Sequence, residues 1–325
     1  RRAGRGVKRY PSIGALPLGG PRRSVAIGTF DGVHLGHQEI IATALAEGRA
    51  RDLRSMVLTF EPHPLAVLRP ELRPAVLTPP ALKGALIEPL GVDELLVAPF
   101  TRAFSRVRWE RFADMIIGPP VGAEVIVVGD SFRFGHKGAG TVELLRRLAR
   151  SRGLTVIVPP LVTSADGKPI SSTRIRRLVA QGDVTGAASL LGRPHVVEGC
   201  VVAGEQRGRE LGFPTANLEL AGELAVPGRG VYAALAHADG RRLTAAVNIG
   251  TSPTFTDVRA LPAVRVEAFL LDYDGPDLYG ATMRLEFLER LRDERRFPSP
   301  EALVAQMHED VARTRALVQA ASGRA

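Results

Sequence analysis

The sequence predicts an α/β domain with a doubly wound parallel sheet, followed by a small antiparallel β-barrel or sandwich with a C-terminal helix. The chain has 325 residues, enough for two domains of roughly 100–200 residues each. Strand-like apolar runs alternate with helix-period stretches up to about residue 161, and short strands with turns follow residues 192–194. We therefore expect a basic leader at residues 1–23, a first domain at 24–191 and a second domain at 192–325.

The first predicted domain contains the alternating strands and helices that produce parallel βαβ units. Its predicted strands are residues 24–28, 55–60, 94–98, 124–128 and 155–158. Its predicted helices are residues 34–51, 81–90, 109–117, 141–152, 172–181 and 184–191. Ligands of such sheets bind beyond the carboxyl ends of the strands, so a site is expected in the loops that follow them.

The second predicted domain consists of short strands separated by turn residues. The strands are predicted at residues 195–203, 230–236, 243–249, 264–271 and 282–290. Such a series is typical of a barrel or a sandwich. A last helix is predicted at residues 300–317, because Leu303, Met307, Val311 and Leu317 follow helical spacing.

Composition excludes several classes of protein. The chain is 45% hydrophobic and 24% charged, as in a folded globular protein, and it has no apolar run of the roughly 18 residues that a membrane helix needs. The single cysteine, Cys200, excludes an internal disulfide and a zinc site built from cysteines. The Gly- and Pro-broken leader lacks the apolar stretch of a signal peptide, so we expect a cytoplasmic protein with no membrane partner.

The net charge of +9 is concentrated near the N-terminus. Residues 1–23 contain seven Arg and Lys residues and no acidic residue, which leaves only +2 for the rest of the chain. A strongly basic chain suggests a nucleic-acid-binding protein. The nearly balanced body argues against that alternative, and no nucleic acid partner is expected.

A glycine-rich segment after the first predicted strand has the features of a phosphate site. Residues 28–37, GTFDGVHLGH, place His34 and His37 three residues apart, in the first turn of a helix and on one face. Free backbone N–H groups and the helix dipole favour anions there, and Gly28 allows close approach. The alternatives are two ordinary surface histidines or a metal pair, although no third ligand of suitable spacing follows.

A second segment supports an anion site. Residues 170–176, ISSTRIR, begin a helix after a loop and bring Ser172, Thr173 and Arg174 to its start. Hydroxyls, free N–H groups and a guanidinium at one helix start can bind phosphate. The alternative is that the hydroxyls act only as N-caps of the helix.

These two segments resemble those of the HxGH nucleotidyltransferases, and more narrowly those of the FMN adenylyltransferase half of prokaryotic bifunctional riboflavin kinase/FAD synthetases. Residues 59–64 (TFEPHP) and 128–135 (VGDSFRFG) resemble the flavin-side loops of that family. Ser131 stands where the family more often has Asn or Asp, and Pro169 where it often has Arg. The resemblance implies a Rossmann-like fold with catalytic roles for His34, His37 and Arg174, nucleotide binding by Gly28, Phe30, Asp31, Ser172 and Thr173, and flavin binding by Phe60, His63, Asp130 and Ser131.

The reaction implied by this resemblance is attack of the FMN phosphate on the α-phosphorus of ATP, which gives FAD and pyrophosphate. A phosphate monoester with a second pKa of about 6 is already largely dianionic at neutral pH, so no general base is required. The enzyme must instead align two polyanions and stabilise the charge of the transition state, with Mg²⁺ bridging the phosphates.

The second predicted domain contains a polar pair suited to a cation. In residues 204–217, GEQRGRELGFPTAN, Thr215 and Asn217 are two apart and point to one side if the chain is extended. A hydroxyl and an amide oxygen suit a Mg²⁺ that also binds nucleotide phosphates, and the alternative is a turn with a polar edge strand. Glu267 interrupts an apolar strand, which is ordinary for a strand with one solvated face.

Residues 208–217 (GRELGFPTAN) and 266–272 (VEAFLLD) resemble the riboflavin kinase half of the same family. The resemblance implies a six-stranded barrel with a terminal helix, and a transfer of the γ-phosphoryl group of ATP to the terminal hydroxyl of riboflavin. It implies Mg²⁺ and ATP binding by Thr215 and Asn217, a catalytic base in Glu267, and nucleotide binding by Gly204, Arg207 and Gly208. Arg284 is a weaker candidate for binding the flavin.

The expected protein is therefore a bifunctional enzyme that converts riboflavin and ATP to FMN, and then FMN and ATP to FAD. One alternative is another HxGH nucleotidyltransferase with a different phosphorylated acceptor and a barrel that merely binds. The sequence leaves the oligomeric state open, including a homo-oligomer.

Overall fold

The computed structural model describes residues 6–204, 212–251 and 264–322, which form two compact units. The first unit contains the chain up to residue 74 together with residues 78–171. The second unit contains residues 75–77 together with the chain from residue 172 onward. The compact units thus divide near residue 171, whereas the boundary expected from the sequence follows residue 191. The difference arises because the two short helices of residues 172–191 group with the second unit.

The first unit is built on a parallel sheet with the strand order β1-β4-β3-β2-β5-β8. Its strands are β1 Lys8–Tyr10, β2 Arg23–Ile27, β3 Arg54–Glu61, β4 Glu94–Pro99, β5 Ala123–Val127 and β8 Thr155–Ile157, and a separate pair consists of β6 Arg133–Phe134 and β7 Gly140–Thr141. Every residue of β2 is buried, as expected in a sheet covered on both faces. The predicted parallel α/β sheet is confirmed. From β2 the following strands β3 and β4 lie on one side, and β5 and β8 lie on the other. Sheets of this kind bind ligands at such a switch point, here between β2 and β5.

Helix α1 fixes the loop that follows β2. The helices described in the first unit are α1 Leu35–Ala50, α2 Pro64–Leu68, α3 Pro80–Ile87, α4 Trp109–Ile117 and α5 Val142–Ser151. Helix α1 packs against β2, β3 and β5 and buries Ile41, Ala44 and Leu45, which helical spacing puts on one face. The turn between β2 and α1 is therefore anchored at both ends by packed elements.

The segment predicted as a basic leader contributes to the fold of the first unit. Strand β1 pairs with β4, and Arg23 at the start of β2 is fully buried. The Arg23 Nε donates a hydrogen bond to Glu94 Oε2 at 2.5 Å, and its Nη1 donates to the Val121 carbonyl oxygen at 2.7 Å. The Tyr10 hydroxyl donates to Glu94 Oε1 at 3.3 Å. Part of the basic charge near the N-terminus therefore stabilises the sheet.

Glu94→Ala is expected to lower the free energy of unfolding of the first unit by about 3–5 kcal/mol, because the Arg23 guanidinium would stay buried without its carboxylate. Urea unfolding followed by circular dichroism measures the change. The control is Glu110→Gln, which removes an exposed pair with Arg108 and is expected to leave the unfolding curve unchanged. Equal changes in the free energy of unfolding of the two variants would show that the buried Arg23–Glu94 pair stabilises the protein no more than the exposed Arg108–Glu110 pair.

The second unit is a closed antiparallel barrel with the strand order β10-β13-β12-β11-β14-β9. Its strands are β9 His195–Val202, β10 Thr215–Leu220, β11 Gly230–Ala238, β12 Arg241–Thr251, β13 Val264–Leu270 and β14 Thr282–Arg292. Inward residues such as Val247, Val266 and Leu285 form its core. Because this sheet is closed, the second unit is a barrel and not a sandwich. Its six strands agree with the number that the resemblance implies.

Helices pack against the outside of this barrel. The helices described here are α6 Ser172–Ala180, α7 Val184–Leu191 and α8 Pro300–Ser322. Helix α8 packs against β11, β12 and β14, and Arg292 on β14 donates from Nη2 to Asp310 Oδ2 on α8 at 2.8 Å. This largely buried ion pair ties the last helix to the barrel wall. Within the described ranges, no helix has the length and apolar character needed to cross a bilayer.

Candidate active sites

The turn between β2 and α1 has an unusual backbone conformation. Phe30 and Val33 have φ angles of 49° and 42°, in the left-handed region that non-glycine residues rarely adopt. Thr78 supports this turn from another loop, because its backbone N–H donates to Asp31 Oδ1 at 3.0 Å and its hydroxyl accepts from the Gly32 N–H at 2.9 Å. Backbone strain that is held by surrounding hydrogen bonds is typical of functional sites.

His34 and His37 lie against each other at this turn. Their rings are nearly parallel, with centroids 3.5 Å apart and an interplanar angle of 17°. His34 is the N-cap of α1 rather than a residue of its first turn, and its Nδ1 accepts a hydrogen bond from the His37 backbone N–H at 3.3 Å. Because Nδ1 is the acceptor, the neutral His34 ring carries its proton on Nε2 and can donate that proton to an anion.

The ISSTRIR segment is divided between the two units. Ile170 is buried in the first unit, and its carbonyl oxygen lies 3.8 Å from the Cβ that a side chain at Gly36 would add. The same Cβ would crowd the His34 ring at 3.3 Å, so glycine suits this position. Ser172, Thr173 and Arg174 begin α6 and are grouped with the second unit.

The residues that the resemblance assigns to flavin lie on β3 and on loops of the first unit. Phe60 is buried on β3 with two neighbouring phenylalanine rings at centroid distances of 6.0 Å. His63 is the N-cap of α2, where its Nδ1 accepts from a backbone N–H at 3.2 Å. Asp130 and Ser131 are exposed after β5, and the Asp130 carboxylate accepts from the Ser131 N–H at 2.7 Å. Both segments follow or end strands of the sheet on its carboxyl side, where ligands are expected.

A cavity of about 340 Å³ is lined by the barrel and α8 in the second unit. Its apolar wall is formed by Phe213, Val231, Ala246, Phe269, Phe297, Leu303, Met307 and Val311. Its polar wall is formed by Thr215, Asn217, Asn248, Arg265, Glu267, Arg292, Glu294, Arg295 and Asp310. The fold therefore brings Glu267 close to Thr215 and Asn217, although Glu267 is distant from both in sequence.

Strand pairing fixes the surroundings of Glu267. Strand β13 lies between β10 and β12, so that Glu267 is the direct partner of Asn217 on one side and of Asn248 on the other. The Asn248 Nδ2 donates to Glu267 Oε2 at 3.3 Å, and the Arg265 Nε lies 3.6 Å from the same oxygen. The Glu267 side chain is only 20% exposed, so it is a half-buried carboxylate in a cavity wall rather than a solvated one.

Thr215 and Asn217 present neutral oxygen atoms to the cavity. Their alternate positions on β10 put both side chains on its wall. Among the residues that the structure describes, no three His, Cys, Asp or Glu side chains are grouped as a metal site. The pair of one hydroxyl and one amide oxygen fits a Mg²⁺ that takes its remaining ligands from nucleotide phosphates.

The remaining predicted residues of the second unit lie in different places. Gly204 borders Asn217 so closely that a Cβ at this position would overlap the Asn217 amide. Arg207 and Gly208 lie outside the described residues. Arg284 on β14 pairs with Glu198 at 3.1 Å, and it is not among the described residues that line the cavity. The register of β14 against β9 explains this placement, because it makes Glu198 the direct cross-strand partner of Arg284.

Two ionisable groups of the second unit have shifted pKa values. Burial lowers the pKa of the Arg193 guanidinium to about 10, against the attraction of Glu286. Burial also raises the pKa of the Tyr232 hydroxyl, which donates to the Gly228 carbonyl oxygen. Both groups stay protonated at neutral pH and act through packing and hydrogen bonding rather than proton exchange.

Thr78 and Asn248 were not predicted as site residues from the sequence. Thr78 lies in a loop far along the chain from the turn that it supports, and no local pattern marks it. Asn248 interrupts the apolar run of β12. That pattern also singled out Glu267 and could have identified Asn248 as a residue of the cavity wall.

Comparisons with known proteins match both halves of the chain. An FAD synthetase family model matches residues 20–174, and a riboflavin kinase family model matches residues 191–318. A bifunctional riboflavin kinase/FMN adenylyltransferase of Bacillus subtilis is 38% identical over 290 residues, which cover 88% of this chain and 89% of the relative. The Escherichia coli protein of the same name is 35% identical over 287 residues, which cover 88% and 90%. A crystal structure described as a macrolide-efflux protein from Streptococcus pneumoniae is 32% identical, with a TM-score of 0.82 and coverage of 95% of this chain and 98% of that one.

These matches agree with the order of the motifs along the sequence. The riboflavin kinase model covers the barrel and its cavity, so the alternative of a nucleotidyltransferase with a merely binding barrel is not supported. The FAD synthetase model covers the parallel sheet and the stacked histidines. The chain belongs to the bifunctional riboflavin kinase/FMN adenylyltransferases, which form FMN from riboflavin and ATP, and FAD from FMN and ATP.

Proposed function

We propose that riboflavin is phosphorylated in the barrel cavity, and that FMN is adenylylated at the turn between β2 and α1, with ATP bound separately at each site. The observation that carries this proposal is the grouping of Thr215, Asn217 and Glu267 around one cavity of the second unit. The stacked His34 and His37 lie in the first unit and offer a different set of groups. The two reactions need different groups because one nucleophile is a neutral hydroxyl and the other is a phosphate.

Glu267 is the proposed general base of the kinase reaction. The oxygen of the riboflavin hydroxyl attacks the γ-phosphorus of ATP, and ADP leaves. The hydroxyl must lose its proton in this step, and a carboxylate within hydrogen-bond reach can accept it. Glu294 and Asp310 also line the cavity. Asp310 is held in an ion pair by Arg292, whereas Glu267 stands directly beside the proposed cation ligand Asn217.

The polar wall of the cavity suits the phosphates of ATP, and the apolar wall suits the flavin ring of riboflavin. Thr215 and Asn217 would hold Mg²⁺, which neutralises phosphate charge when it is bound. The apolar wall, with Phe213, Phe269 and Phe297, offers a surface for the ring system of riboflavin. In this arrangement the ribityl chain extends from the apolar wall toward Glu267.

At the turn between β2 and α1, the FMN phosphate attacks the α-phosphorus of ATP and pyrophosphate leaves. The attacking phosphate is already anionic, so the protein must align and neutralise charge rather than remove a proton. His34 donates from Nε2, His37 stacks against it, and the N-terminus of α1 adds its positive dipole end. The roles that the resemblance implies for Ser172, Thr173 and Arg174 stay predictions, since these residues are grouped with the second unit.

Thr215→Val is expected to raise the Mg²⁺ concentration for half-maximal FMN formation by about 10–100-fold, since even the loss of an outer partner of a metal ligand commonly costs that much affinity. A Mg²⁺ titration of the riboflavin kinase reaction at fixed ATP measures the change. FAD formation from supplied FMN in the same preparation is the control and should be unaffected. If Thr215→Val leaves the Mg²⁺ concentration for half-maximal FMN formation unchanged, Thr215 is not a Mg²⁺ ligand.

A further inference from the structure

Asn248 is a polar residue of the cavity wall that has no role in the reactions described so far. It lies on β12, directly across from Glu267 on β13. Its amide Nδ2 donates a hydrogen bond to Glu267 Oε2 at 3.3 Å. The pairing of β12 with β13 fixes the backbone positions of Asn248 and Glu267, and therefore keeps their two side chains next to each other.

Within the part of the chain that the structure describes, the side-chain contacts recorded for the Glu267 carboxylate fall on Oε2. The Arg265 Nε, two residues away on the same strand, lies 3.6 Å from Oε2, the oxygen that also accepts from Asn248. A carboxylate held through Oε2 has a defined plane and presents Oε1 in a defined direction. A glutamate side chain without such a contact would sample several rotamers.

We propose that Asn248 is a positioning residue for the kinase reaction, and that it orients Glu267 so that Oε1 accepts the proton of the riboflavin hydroxyl. This inference rests on the proposed role of Glu267 as the base. Misplacement of a reacting group by about 1 Å can cost on the order of 100-fold in rate, which gives a single orienting hydrogen bond a large effect. A neutral amide supplies that bond without adding a full charge beside the base.

The test compares three substitutions of Asn248 by steady-state kinetics of FMN formation in the full-length enzyme. Asn248→Ala should lower kcat by about 10–100-fold, with the KM values for riboflavin and ATP changed less than about threefold. Asn248→Asp has the same shape but replaces the donor with a repelling carboxylate, so it should be at least as impaired. Asn248→Ser keeps a shorter donor and should recover part of the lost rate.

Controls separate this role from a general loss of structure. Thermal unfolding followed by circular dichroism checks that the barrel of each variant is folded, and FAD formation from supplied FMN, a reaction assigned to the first unit, should be unchanged. Thr244→Ala is the matched variant, because Thr244 is half-buried on β12 and is not among the described residues that line the cavity. It should leave the kinase kinetics unchanged.

A double variant tests the dependence of Asn248 on Glu267. Adding Asn248→Ala to Glu267→Gln should lower the residual kinase rate by less than about twofold, because there is then no base to orient. The proposal is wrong if Asn248→Ala raises a KM with kcat unchanged, or if Asn248→Asp is as active as the wild type. A fully active Glu267→Gln would instead overturn the proposed base itself, whereas an impaired Glu267→Gln with a normal Asn248→Ala would overturn only the positioning role.

Discussion

His37→Ala is expected to lower FAD formation from FMN by on the order of 10²–10³-fold, while FMN formation from riboflavin stays within about twofold of the wild type. The substitution removes one of two stacked imidazoles at the start of α1 and leaves the second unit untouched. His37 is proposed to act with His34 in stabilising the charge of the transition state, and loss of one such group commonly has an effect of this size. Chromatography of flavin products, with riboflavin or FMN as the starting substrate, measures both rates in one preparation.

Circular dichroism checks that His37→Ala is folded, and the kinase rate of the same sample shows that the second unit is intact. An equal loss of both activities would contradict the assignment of the two reactions to separate sites. Retention of full FAD formation would instead remove His37 from the adenylyl transfer machinery.

Glu267→Gln is expected to have the opposite effect, lowering FMN formation by about 10²–10⁴-fold. Glutamine keeps the shape of the side chain and its place between Asn217 and Asn248, but its amide cannot accept a proton from the riboflavin hydroxyl. FAD formation from supplied FMN should stay near the wild-type rate. The same chromatographic assay, started once with riboflavin and once with FMN, separates the two effects.

Glu289→Gln is the matched control for Glu267→Gln. Glu289 lies on β14, pairs with Arg313 and is not among the described residues that line the cavity. Its substitution should leave both activities unchanged. A kinase rate for Glu267→Gln equal to that of Glu289→Gln would show that another group accepts the proton.

Most elements of the fold follow from local sequence patterns. The helices Trp109–Ile117 and Val184–Leu191 were predicted with their observed bounds, because each has helical apolar spacing and is followed by glycine. Strand β1 was missed because it is short and basic, and its extended state depends on pairing with β4. Strand β10 was also missed as an element of the barrel, since its polar sequence becomes a strand between β9 and β13.

The candidate sites were predictable to different degrees. His34 and His37 are close in sequence, so their proximity follows from local geometry. Asn248 and Glu267 are 19 residues apart, and only the register of β12 against β13 shows that their side chains meet. Arg284 was predicted as a flavin ligand from its charge, but the register of β14 against β9 places it opposite Glu198, away from the described cavity wall. Sequence spacing predicts which side chains are neighbours within one helix or strand. Which side chains are neighbours across two strands depends on the register of those strands.

The direct pairing of Glu267 with residues on both adjacent strands constrains how this enzyme can diverge. Because side chains alternate along a strand, inserting or deleting one residue within β13 would turn Glu267 toward the barrel core and bring Val266 or Ala268 to the cavity wall. Lineages that keep the kinase reaction should therefore conserve the length of β13. Insertions and deletions should collect in the connections that flank it, such as residues 271–281.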